Sequence, residues 1–359
     1  MQSEPGTGQL EVQEAAEQEA PTQPPLLDVR DLRVYYRSFA GLGRHRVSVR
    51  AVDGVTLALR AGETLGVVGE SGSGKSTLAK SLIRLEPVTS GDVHLDGTDI
   101  LALSERAFIP MRKRIQMIFQ DSLNSLNPRF TLADTLAEPF IVHHLASRGE
   151  LRHKVADLLT SVGLSPEMMD SRVTELSGGQ RQRVNIARAL APTPDIIIAD
   201  EPTSSLDVSV QAQVLNLMRD LQQQLGMSYL FISHDLGVVR RMASQVAVMY
   251  LGKIVEMTAR DSIYSRPLHP YTRALMLAAP RPEPRVERQR QQAPIPGEVP
   301  SASAPPSGCR FHPRCSMVRD VCAVEEPPLR AIEPGHWSAC HFAEELRAES
   351  SQEVSLAGQ

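Results

Sequence analysis

Residues 67–77 read VVGESGSGKST, and no other stretch restricts the possible folds of the chain as tightly. An apolar run, ETLGVVG, leads in, and KSTLAKSLIRL follows with helical spacing. Gly69-Glu70-Ser71-Gly72-Ser73-Gly74-Lys75-Ser76 fits GxxxxGK[ST], a strand feeding a glycine-rich turn that opens a helix. The glycines let backbone N–H groups curl around an anion, and the helix aims its positive end at the same place. Lys75 is placed to reach β- and γ-phosphates and Ser76 to bind Mg²⁺, with Thr77 in the same candidate set. A glycine-rich turn with a chance lysine is the bland alternative.

A triphosphate site also needs a carboxylate for the metal and a base for the attacking water. DIIIADE, residues 195–201, offers both. Its apolar residues read as a central strand, and ligands of open α/β sheets sit at the carboxyl ends of strands. Asp200 is expected to hold Mg²⁺, mainly through water, and Glu201 to orient and deprotonate the nucleophile.

The rest of the pattern alternates strands and helices, which implies α/β with a parallel core sheet. LLDVRDLRVYY and VRAVDGVTLAL read as an antiparallel pair. SGDVHLDGTDI, RIQMIFQ and MSYLFISH add strands, and QVAVMYLGKIVE reads as the final strand pair. Residues from about 129 to 190 are mostly helical, with breaks at Gly163 and Gly178-Gly179. Residues 1–25 hold five Glu and no Lys or Arg, and read as a disordered leader. Eight prolines between 280 and 306 mark a linker, and a short Cys-rich segment follows. A net charge of −4 gives no reason to expect nucleic acid. No apolar run approaches the ~20 residues of a membrane span, and the start has no signal-peptide pattern, so a cytosolic protein is expected.

LSGGQRQRVNIARAL, residues 176–190, resembles the signature of ATP-binding cassette (ABC) ATPases, and the motif order around it agrees. Ser177 and Gln180 taken alone also fit a capping box, a purely structural device. The resemblance implies that Ser177, Gly178, Gly179 and Gln180 meet the γ-phosphate of ATP bound to an opposite subunit, so that the enzyme works as a dimer. It also implies roles for Gln120, at the Q-loop position, in contact with Mg²⁺ and the attacking water, and for Asp207, in the D-loop segment Ser205-Leu206-Asp207. His234 corresponds to the switch histidine that contacts the γ-phosphate. Tyr36 matches the aromatic that stacks on adenine, with neighbouring Tyr35 as the alternative.

Within that superfamily, FQDSLNSLNPRFTL (119–132), RPLHPYTRALMLAAP (266–280) and PPSGCRFHPRC (305–315) resemble the ATPases of oligopeptide and dipeptide permeases, a group that includes nickel importers. The NPR form and the GEVPS segment look more like the second ATPase of such a permease. The implied fold is an ABC ATPase domain over 26–280, with a parallel core sheet, an antiparallel β subdomain and a helical subdomain over about 125–190. A 281–306 linker, a Cys-rich extension over 307–342 and a disordered 343–359 tail complete it. The implied function is an ATP-hydrolysing subunit of a peptide importer, peripheral on the cytoplasmic face. Its partners would be a second ATPase chain, two transmembrane permease subunits and, indirectly, an extracytoplasmic binding protein. Nickel, glutathione or another small solute is the alternative cargo, and a redox- or iron-sensing ATPase the alternative role. A chromosome-maintenance ATPase is excluded because Gln120 and Leu176 are only 56 positions apart, too few for a long coiled coil.

The four cysteines, Cys309, Cys315, Cys322 and Cys340, all fall in the extension and lack paired CxxC spacing. Four thiolates suit a [4Fe–4S] cluster or Zn²⁺, and the resemblance favours iron. His312, His336 and His341 are possible substitutes, each read as an ordinary surface residue.

Overall fold

The computed structural model describes residues 24–40, 45–121, 125–278, 295 and 297–349. Residues 1–23, which make up nearly all of the leader, and 281–294 of the linker lie outside them.

Strands β1 (Leu27–Ala40) and β2 (His45–Leu59) pair antiparallel, and β4 (Ser90–Leu95) and β5 (Thr98–Asp99) complete a four-stranded sheet in the order β2-β1-β4-β5. The inward residues of β1 change parity from Leu27 and Val29 to Leu32 and Val34. A register shift between Val29 and Leu32 absorbs the change, with Asp31 at φ 46°. Without that bulge one half of the strand would turn its apolar residues to solvent.

The second sheet is built on β3 (Thr64–Val68), β6 (Ile115–Ile118), β7 (Ile196–Asp200), β8 (Ser228–Ser233) and β9 (Gln245–Tyr250), all parallel. Every residue of β3, β7 and β8 is buried, as expected for strands covered on both faces. One apolar core joins this sheet to the antiparallel sheet and to α1 (Lys75–Leu82). The other lies under α5 (Gly178–Leu190), α6 (Val208–Leu225) and α7 (Leu236–Met242). With α3 (Leu132–Val142) and α4 (Leu151–Ser161), α5 forms the helical region expected over 125–190. Gly163 does end a helix, at φ 70°. Gly178-Gly179 instead form the first turn of α5, behind the cap residue Ser177. Helix α2 (Glu105–Arg114) precedes β6.

The strand pair β9 and β10 (Lys253–Ala259) is not final. After α8 (Arg260–Ser265), α9 (Pro270–Ala278) and the short α10 (Asp320–Val324) come β11 (Arg330–Glu333) and β12 (His336–Ser338). β12 pairs antiparallel with β10, so the sheet runs β11-β12-β10-β9-β3-β8-β7-β6. Strands of four and three residues are too short to show alternation, which is why they were not legible.

The extension departs from expectation in two places. His336 is not on the surface: it is fully buried, and its Nε2 lies 2.7 Å from Glu256 Oε1. The tail is not disordered from 343, because residues 343–349 are helical. Ala343 and Leu346, one turn apart, bury against Leu268, and Arg273 bonds the Leu346 carbonyl and Glu349.

Candidate functional site

The phosphate loop crosses from the end of β3 to the start of α1. Gly74 caps α1 at φ 105°, and a Cβ there would stand 2.0 Å from the Ala51 carbonyl oxygen, so only glycine fits. Lys75 is buried, and its ammonium donates to the Gly69 carbonyl (2.8 Å), the Glu70 carbonyl (2.9 Å) and Ser73 Oγ (3.3 Å). Burial lowers its pKa, against the opposing pull of Glu201, Asp200 and Glu70.

Asp200 ends β7 beside that loop. Ser76 Oγ donates to Asp200 Oδ1 at 3.1 Å. Burial raises the Asp200 pKa, the Ser76 hydroxyl bond opposes the rise and neighbouring Glu201 adds to it. A hydroxyl and a carboxylate in contact beside a phosphate loop are hard oxygen donors of the kind Mg²⁺ takes, its other positions left to phosphate and water.

Glu201 follows, with its backbone at φ 47°. A non-glycine residue in that region costs about 1–3 kcal/mol and persists only where the surroundings enforce it. They do: its N–H bonds the Ile232 carbonyl at 2.9 Å, and its carbonyl accepts from Ser204 Oγ at 3.1 Å. The turn aims the carboxylate at two partners. Gln120 Nε2 donates to Glu201 Oε2 at 2.8 Å, and His234 Nδ1 lies 3.0 Å from Oε1. Gln120 stands two residues beyond the end of β6 and His234 just beyond β8, so three parallel strands deliver these groups to one edge of the sheet. Motif order indicated the three residues. Their convergence on one carboxylate, and its left-handed backbone, left no signal in the sequence.

The two neighbouring tyrosines separate. Tyr36 has Thr77 and Glu86 within hydrogen-bonding reach of its hydroxyl, which sets it beside the first turn of α1. The Tyr35 hydroxyl donates to Asp53, and burial, with that bond, pushes its pKa up to about 12.

Ser177 and Gln180 form the capping box: Gln180 N–H donates to Ser177 Oγ at 3.3 Å and Ser177 N–H to Gln180 Oε1 at 2.9 Å. Gly178 has room around it, but a Cβ on Gly179 would meet Val210 Cγ1 at 2.6 Å, so α5–α6 packing alone demands that glycine. The hydrogen bonds of this segment stay local and do not reach the chain's own phosphate loop. Asp207 caps α6 by position, without a side-chain bond to the helix.

Cys309, Cys315, Cys322 and Cys340 line one small cavity, together with His312 and His341. Burial pushes the Cys309 thiol up to about 11 and the Cys340 thiol to about 12. Four sulfurs around one cavity are the donors a soft metal takes. Among the described residues, however, no three His, Cys, Asp or Glu side chains are gathered closely enough to hold a metal ion. His312 Nδ1 lies 3.0 Å from the Cys309 carbonyl and His341 Nε2 3.0 Å from the Glu325 carbonyl.

Residues 52–204 match the family model described as ABC transporter, and residues 255–322 that described as oligopeptide/dipeptide transporter, C-terminal region. A probable peptide ABC transporter ATP-binding protein of Sinorhizobium fredii is 52% identical, over 88% of this chain and 89% of its own. The oligopeptide transport ATP-binding protein AppF of Bacillus subtilis is 48% identical, over 90% of this chain and 99% of its own. Among solved structures, the dimeric post-hydrolysis state of the ATP-binding cassette MJ0796 bound to ADP and Pi superposes with a TM-score of 0.58. It is 28% identical, covering 65% of this chain and 98% of that one.

Proposed function

This chain belongs to the ABC transporter ATPases of the oligopeptide/dipeptide branch, and from that premise we propose that it binds and hydrolyses ATP to drive peptide import through a membrane permease. The observation that carries the chemistry is Glu201 at the end of β7, bonded through both oxygens by Gln120 and His234, beside the Ser76–Asp200 pair. The loop N–H groups and Lys75 bind the triphosphate, and Tyr36 stacks on the adenine. Ser76 and Asp200 hold Mg²⁺, which when bound neutralises charge on the phosphate oxygens. Glu201 takes the proton of the attacking water, while Gln120 and His234 fix the direction of its carboxylate.

The segment Ser177–Gln180, whose hydrogen bonds stay local, serves the ATP of a second, similar ATPase subunit, and the D-loop residue Asp207 crosses between them. This pair sits on the cytoplasmic face beneath two transmembrane subunits, which an extracytoplasmic binding protein supplies. The relatives' peptide-transport names and the C-terminal family match support peptide as the cargo. Labelled di- and oligopeptide uptake should vanish in cells lacking the chain, return with the wild type and not with Lys75→Ala. Loss of nickel or glutathione uptake instead would reassign the cargo.

The cysteine extension completes the proposal as a thiolate-held metal centre, a [4Fe–4S] cluster ahead of Zn²⁺, supported by four thiols around one cavity. Loading would have to draw the sulfurs closer. Anaerobically purified full-length protein should contain iron, and Cys309→Ser with Cys315→Ser should lose it. Metal content that does not change refutes these ligands.

A further inference from the structure

Glu70 is one of the variable positions of the phosphate-loop pattern, and Arg314 lies 244 residues away, between two cysteines of the extension. The fold brings them together. Arg314 is buried and forks onto the Glu70 carboxylate, Nη1 to Oε2 at 2.7 Å and Nη2 to Oε1 at 3.1 Å. Its Nη1 also reaches Tyr250 Oη at 3.4 Å, which steadies the guanidinium. The rest of Glu70 is held as well. Its N–H donates to Tyr271 Oη on α9 at 2.9 Å, and its carbonyl accepts from Lys75. A second arginine of the same segment braces the other end of the loop. Arg310 bonds Asp53 and the Leu251 carbonyl, and the next residue, Gly252, donates its N–H to the Ser73 carbonyl at 2.8 Å.

We infer that Arg314 is a positioning residue of the nucleotide site, acting through Glu70. Two physical effects point the same way. The bidentate pair fixes the direction of the loop at its first variable position. It also neutralises a carboxylate that stands on the loop meant to receive a triphosphate; unpaired, that charge repels the ligand. The extension is thereby part of the ATP site. The inference rests on the ATP-binding reading above.

The test is equilibrium binding of MgATP to the full chain, with turnover measured alongside. Arg314→Ala should raise the ATP Kd about tenfold, the loss expected for a charge-assisted bond, and leave kcat at saturating ATP within about twofold. Adding Glu70→Gln to Arg314→Ala should return the Kd toward the wild-type value, because the unpaired carboxylate is gone. A purely structural staple predicts no such rescue, so failure of the rescue, or an unchanged Kd in Arg314→Ala, overturns the inference. Should Arg314→Ala not fold, Arg314→Lys keeps the buried charge but loses the fork, and its Kd should rise several-fold; a wild-type Kd there overturns the inference too. A wild-type chain with no saturable ATP binding would instead sink the ATP reading itself, and this inference with it.

Discussion

Glu201 shows how one residue can be placed against its own preference. Its positive φ is unfavourable for a side chain of that size, yet the bonds from Ile232 and Ser204 hold it. The strain aims the carboxylate at Gln120 and His234 rather than letting it swing into solvent. Glu201→Gln keeps the shape and loses the base, so turnover should fall by about 10²- to 10⁴-fold while nucleotide binding survives. Unchanged turnover in the assembled transporter would remove Glu201 from the mechanism. Gly74 makes the opposite case. Its backbone is held at φ 105° and a Cβ has no room against Ala51. Gly74→Ala should therefore abolish nucleotide binding, as read by loss of ATP-dependent thermal stabilisation, and a normal ATP shift would contradict the loop geometry.

Between elements, the extension is joined to the ATPase body by buried polar pairs. Glu256 on β10 is fully buried and accepts from Leu268 N–H, His269 N–H and the His336 ring on β12. His336→Ala removes one partner of a buried carboxylate, and about 3 kcal/mol of unfolding free energy should go with it. A denaturant curve that does not move would show that β12 is held by other means. At the contact of β2 with the extension, burial alone would raise the pKa of Asp53, but the Tyr35 hydroxyl and Arg310 hold it below its ordinary value. A depressed carboxylate contributes its stability above the unfolded value of about 4 and loses it as pH falls through the folded one. The stability gap between wild type and Asp53→Asn should thus be widest near neutrality and close below pH ~4, as read by melting midpoints across that range. Much of the element order was legible because β7 and β8 are short continuous apolar runs of the kind buried on both faces, while α6 sustains a helical pattern over 18 residues. β11 and β12 were not legible, since a few polar-rich residues gain strand structure only from pairing with β10. The Arg314–Glu70 fork was hidden for a related reason: chain separation gives no clue to a contact made in space.

At the scale of the whole molecule, the chain holds two halves of a motif set, with no hydrogen bond between them among the described residues. The phosphate loop, Asp200 and Glu201 lie at the strand ends, while Ser177–Gln180 cap α5 in the helical region and bond only locally. Motif order alone supplied both halves. It could not show that the bonds of Ser177–Gln180 stay within their own segment. In the reading proposed above, this segment meets the γ-phosphate of ATP on a second subunit. Blocking hydrolysis should make the association visible. With MgATP and the second ATPase subunit present, Glu201→Gln should migrate as a dimer with it in size-exclusion chromatography and return to a monomer when ATP is replaced by ADP. Adding Ser177→Arg places a bulky cation where the partner's triphosphate must approach and removes the helix cap, so the dimer should disappear while ATP binding to each monomer persists. A Ser177→Arg chain that still dimerises with ATP would mean that the two halves are joined in some other way, and that the capping box is all this serine provides.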